Sequence, residues 1–93
     1  MKVSIDSYGD YSNNHGTNAM LFQADDLVVY LSYRTPIAFK YPGKGLTIRE
    51  NDWGRTTGKH LNWIDSDKSK RIPGVEFEKK LEALLKEKNL IFG

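Results

Sequence analysis

Ninety-three residues with a formal net charge of +2 and no cysteine describe one domain built round a single core, without room for separate cofactor and substrate lobes. Disulfides, thiolate metal sites and a thiol nucleophile are excluded, so apolar burial alone must hold the fold, as suits a reducing, cytoplasmic setting. No run approaches the length needed to cross a bilayer, and Val3 and Ile5 alternate with polar residues where a signal peptide would be continuously apolar. A soluble protein without a membrane anchor is expected.

Residues 2–7 read as a strand with Val3 and Ile5 on one face, and residues 8–16, rich in Gly, Asp, Ser and Asn, read as a loop. Residues 19–23 and 27–33 form paired strands joined by a tight turn at Asp25-Asp26. The run Leu27-Val28-Val29-Tyr30-Leu31 lacks alternation, as a strand covered on both faces would. Pro36 has no amide to donate to a ladder, so it should open the next strand, which runs to Tyr41. Pro42-Gly43 then supplies the central pair of a type II turn, and residues 45–50 return as the hairpin partner, with Leu46 and Ile48 opposite in facing to Thr47 and Arg49.

Thr57 is placed to cap a short helix whose inner edge is Leu61 and Ile64, with Lys59 and Trp63 sharing a neighbouring face. A longer helix starts at Pro73, a residue favoured in the first turn. Its Phe77, Leu81, Leu84 and Leu85 fall on one stripe that should cover a face of the sheet, while Glu76 with Lys80 and Glu82 with Lys86 make four-residue pairs on the wet side. The expected fold is α+β: an antiparallel meander of about five strands against the C-terminal helix, with the Trp53 to Ile64 segment capping one edge.

Charge is unevenly spread along the chain. Through Tyr33 the acids Asp6, Asp10, Asp25 and Asp26 outnumber Lys2, whereas from Arg34 to Arg71 nine cations face Glu50, Asp52, Asp65 and Asp67. That polarity would steer the protein toward nucleic acid or an acidic protein face. The densest chemistry lies in Trp53-Gly54-Arg55-Thr56-Thr57-Gly58-Lys59-His60-Leu61-Asn62-Trp63-Ile64, which gathers two tryptophans, two threonines, two cations and a histidine.

Three blocks, Ser32-Tyr33-Arg34-Thr35-Pro36-Ile37-Ala38-Phe39, Glu50-Asn51-Asp52-Trp53 and Thr56-Thr57-Gly58-Lys59-His60-Leu61-Asn62, resemble small uncharacterised proteins of bacteriophages and related mobile elements. The resemblance covers roughly residues 20–81. It carries no known activity and transfers no functional residue. It implies a setting: a virus- or prophage-encoded protein that acts inside a microbial cell, where binding nucleic acid or a host protein is common.

Specific chemistries fit the pattern less well. Asp65, Asp67, Ser69 and Glu76 fall at calcium-loop spacing, but Lys70 stands where the loop needs glycine, Lys68, Lys70 and Arg71 oppose a divalent ion, and Pro73 adds a further departure. No metal site is expected there, and neither His15 nor His60 has a second ligand at helical spacing. Metal-independent nuclease chemistry would need His60, Lys59, Arg55 and Tyr33 to converge as base, charge stabilisers and acid. Gly54 to Lys59 suits a single phosphate, without the spacing of a nucleotide-binding P-loop. Trp53, Trp63, Tyr33 and Tyr41 interleaved with Arg34, Lys40, Arg49, Arg55 and Lys59 suit stacked bases, although two tryptophans in so small a domain are commonly core anchors.

The composition and blocks together favour a non-enzymatic, cofactor-free binding module. Its binding residues would be Arg55, Thr56, Thr57, Lys59, His60, Trp53, Trp63, Tyr33 and Arg34. A host protein, met by a regulator or inhibitor, is the favoured partner because the net charge is modest for a nucleic-acid domain. Nucleic acid is the alternative partner, and a small nuclease the alternative activity.

Overall fold

The computed structural model describes residues 3–8, 19–41, 43 and 45–87. Lys2, the 9–16 part of the expected loop with Asp10 and His15, and Pro42 and Lys44 lie outside the described residues. Strands β1 (Val3–Ser7), β2 (Ala19–Ala24), β3 (Leu27–Ser32), β4 (Thr35–Tyr41) and β5 (Gly45–Arg49) pair antiparallel in chain order. A sixth, β6 (Arg71–Ile72), adds parallel to β5, and Ile72 carbonyl accepts from the Glu50 amide at 2.8 Å. Helix α1 (Arg55–Ile64) precedes β6, and helix α2 (Gly74–Glu87) follows it. The chain is thus an α+β fold with a mainly antiparallel sheet and a C-terminal helix.

Alternation along the strands divides the core in two. Leu27, Val29 and Phe39 pack with Phe77, Leu81 and Leu84 of α2, as the apolar stripe of that helix requires. Ala38 and Ile48 point the other way and pack with Leu61 of α1, backed by Tyr30 and Ile64. The short helix therefore lies over the second face of the sheet, where an edge position was expected. This explains why β3 lacks alternation: Leu27 and Val29 are fully buried on one side while Tyr30 is half-buried on the other.

Pro36 sits second in β4, and its missing amide is accommodated by a bulge. Tyr30 pairs with Ala38 but Leu31 with Pro36, so Ile37 is an extra residue. The bulge puts consecutive Ile37 and Ala38 into the same core, which regular alternation would forbid. At the other end of β4, Gly43 takes φ 86°, as the third position of a type II turn demands.

Arg49 corrects the sequence reading most sharply. Its place in a basic surface was expected, yet it is 5% exposed. Its guanidinium lies 4.5 Å from the Trp53 ring centroid and 5.6 Å from that of Phe77. Nη2 donates to Asp52 Oδ2 at 2.9 Å and Nη1 to Glu78 Oε1 at 3.3 Å. Gly74 makes the room: a Cβ there would run into Nη2 and lie 2.9 Å from Cζ and 3.0 Å from Asp52 Oδ2. Pro73 is accordingly the residue before α2, and its carbonyl accepts the Phe77 amide at 3.0 Å.

Candidate functional site

The turn between β3 and β4 is the most strained stretch of backbone described. Ser32 pairs with Thr35, so Tyr33 and Arg34 form a two-residue hairpin loop, and both have positive φ, 50° and 71°. Such turns favour Asn-Gly, and each non-glycine residue held there costs on the order of 1 kcal/mol or more. The strain is worth noting because it presents a large aromatic and a cation to solvent: Tyr33 is 50% exposed and Arg34 is exposed.

Buried hydrogen bonds anchor that turn to α1. Ser32 Oγ lies 2.7 Å from His60 Nδ1 and 3.0 Å from Thr57 Oγ1. All three residues are buried, His60 completely. The Ser32 hydroxyl thus bridges the Thr57 hydroxyl and the imidazole, the direction of each bond following the His60 tautomer. The Tyr33 and Tyr8 rings approach the imidazole at 6.1 and 6.0 Å between centroids. Thr57 does not cap the helix, as the sequence suggested; it lies inside α1, and its hydroxyl is spent on Ser32.

The N-cap of α1 is Gly54, which offers no side chain to the first turn. Asn51 organises the approach instead. Its Oδ1 accepts from the Trp53 amide at 2.9 Å, and its Nδ2 donates to Gly54 carbonyl at 3.2 Å. Gly58, inside the helix, leaves room for it, since a Cβ there would lie 3.1 Å from Asn51 Nδ2.

Between the strained turn and this helix start lies an open cleft of about 320 Å³. Ser32, Tyr33 and Thr35 form one wall. Trp53, Gly54, Arg55, Thr56 and Thr57 form the other. Trp53 is 46% exposed, with Arg49 stacked on its ring. The cleft combines two aromatic faces, several hydroxyls and one arginine.

The structure thus brings Tyr33, Trp53, Arg55, Thr56 and Thr57 together, with Arg34 in the turn between two lining residues. Lys59 is exposed on α1, and Trp63, at the far end of that helix, is 52% exposed with its ring 5.4 Å from Tyr8. His60 lies beneath the surface as part of the scaffold. A nuclease would need it as an accessible base, and it has no exposed area. Lys40 and Tyr41 stand at the other end of β4, away from the cleft, and Tyr41 packs against the α2 core.

Ser32, Thr35, Asn51 and Tyr8 were not singled out as site residues from the sequence. Asn51 carried a usable signal, an Asx side chain two residues before Trp53. The others depend on pairing across the chain; Tyr8, for instance, donates to Leu31 carbonyl at 2.9 Å.

The calcium-like segment is tied up internally. Asp65 Oδ1 accepts from the Asp67 amide at 2.9 Å and its Oδ2 meets Lys70 Nζ at 3.4 Å. The Ser69 hydroxyl and then the Ser69 amide hold the Asp67 carboxyl below its ordinary pKa, with Lys70 adding to the effect. No group of three or more His, Asp or Glu side chains that could hold a metal occurs among the described residues. No described helix is long and apolar enough to cross a membrane.

Residues 3–79 match the Family of unknown function (DUF8033), and the chain belongs to that family. No curated protein and no solved structure matches it.

Proposed function

We propose that this member of a family of unknown function is a non-enzymatic binding module that captures a protein partner at the cleft between the β3–β4 turn and α1. One observation carries the reading: Tyr33 and Trp53 stand half exposed on opposite walls with Arg55 beside them. A core-anchor role would have buried both rings. Tyrosine, tryptophan and arginine are the residues that dominate binding energy at the centres of protein interfaces, because they bring area and a polar handle at small entropic cost. Strain at Tyr33 and Arg34 supports the same reading, since backbone held against its preference commonly accompanies function. The phage-like setting implied by the sequence blocks makes a host protein the natural partner, met by a regulator or inhibitor in the cytoplasm.

Nucleic acid is the second reading, supported by the same exposed rings next to Arg34 and Arg55, an arrangement able to stack a base and hold its phosphate. Capture from microbial lysate on the immobilised chain, with and without nuclease, separates the two. The proposal expects a protein band that survives nuclease and is lost with Tyr33→Ala. A band that disappears with nuclease supports the second reading. A band retained by Tyr33→Ala places the binding surface elsewhere.

A further inference from the structure

Building on that reading, we infer that the cleft receives an acidic segment of the partner protein, held by Arg34 and Arg55 as a pair of recognition charges. Arg55 lines the cleft and Arg34 stands in the turn between the lining residues Tyr33 and Thr35; within residues 32–35 and 53–57 these are the only charged side chains, and both are positive. Neither makes an ion pair within the described residues. The nearby acid Asp52 does not line the cleft and is paired with Arg49, which also holds Glu78. Glu50, at the end of β5, precedes the loop and does not line the cleft. Guanidinium groups bind carboxylates through paired N–H donors, and Tyr33 and Trp53 offer apolar faces between them for a neighbouring aromatic or aliphatic side chain. The space, about 320 Å³, fits a side chain of that size with its flanking backbone.

Charge also distinguishes the two ends of β3. Asp25 and Asp26 form the turn before it, and Tyr33 and Arg34 the turn after it. Those turns are separated by roughly 23 Å, seven steps from Asp26 to Tyr33 at about 3.3 Å per residue. An approaching acidic surface meets Arg34 at the cleft end, whereas at the other end Asp25 and Asp26 oppose it beside Lys40, which pairs across from Val28. The acidic turn of a second copy is the rival occupant, so the test must include self-association.

Three fluorescein-labelled probes are titrated by anisotropy: a peptide with aspartates and glutamates round one phenylalanine, its asparagine and glutamine isostere, and an oligothymidine of equal charge. The acidic peptide should bind saturably and at least tenfold more tightly than the isostere. Arg34→Glu with Arg55→Glu should abolish that preference while the melting temperature stays near that of the parent. Equal binding of the two peptides would overturn the acidic assignment and leave the binding-module reading standing. Binding by neither peptide would count against both. Preference for oligothymidine would make the partner a nucleic acid. Sedimentation showing a self-assembled species dissolved by Asp26→Lys would make the occupant another copy of this chain.

Discussion

A guanidinium with 5% exposure would cost several kcal/mol to desolvate if it stood alone, and Arg49 offsets that cost through two aromatic faces and two carboxylates. Both carboxylates reach it from exposed positions, so the pair keeps part of its hydration. Gly74 is the vulnerable point of this arrangement. Gly74→Ala pushes a methyl group into the guanidinium and should lower stability by about 1–3 kcal/mol, the usual cost of overpacking. A thermal melt checks it, and Arg49→Met should make the Gly74→Ala change markedly less costly, because the colliding group is gone. Ser32 is the matching residue on the other face. Its single hydroxyl serves both Thr57 and His60, so Ser32→Ala should cost about 1–3 kcal/mol despite removing one atom. Denaturant unfolding measures it; a loss within error would mean that the three side chains are not coupled.

At the scale of elements, the strained β3–β4 turn invites an experiment in which stability and binding move in opposite directions. Replacing Tyr33-Arg34 by Asn-Gly gives the turn its preferred residues and should raise stability by on the order of 1 kcal/mol, while partner capture falls. If both rise, the turn is merely a poor loop. Much of the layout was legible in sequence: five strand runs, the positive-φ glycine at position 43 and the stripe Phe77, Leu81, Leu84, Leu85, each set by a local periodicity or a turn chemistry. What local pattern cannot encode was missed. The two residues of β6 show no period, and their strand exists only because β5 lies beside them. Arg49 alternates as a surface residue should, and it is covered only because Trp53 folds over it and α2 arrives from 25 positions later. Likewise Thr57 has the look of a cap, but a hydroxyl brought in on Ser32 claims it. The candidate site was partly visible for the same reason: Trp53 to Thr57 is one continuous segment, whereas its opposite wall comes from a turn twenty residues earlier.

For the whole molecule, a sheet carrying one helix on each face leaves the cleft at the end of the sheet, built by β3, β4 and the start of α1. Its rings and its cations contribute differently to binding. The aromatic faces should give a contact that persists in salt, whereas Arg34 and Arg55 should set an association rate that falls as ionic strength rises. The separation between a rigid scaffold below and a recognition surface above is the core of the account. It is tested most directly by Arg55→Ala combined with Lys59→Ala, two exposed residues on α1. Changes at such positions usually alter stability by no more than about 0.5 kcal/mol. Paired measurement of partner capture and thermal unfolding should show capture reduced at least tenfold, a loss of about 1.4 kcal/mol in binding, with the melting temperature nearly unchanged. Unfolding of the double variant, or capture that is undiminished, would contradict it.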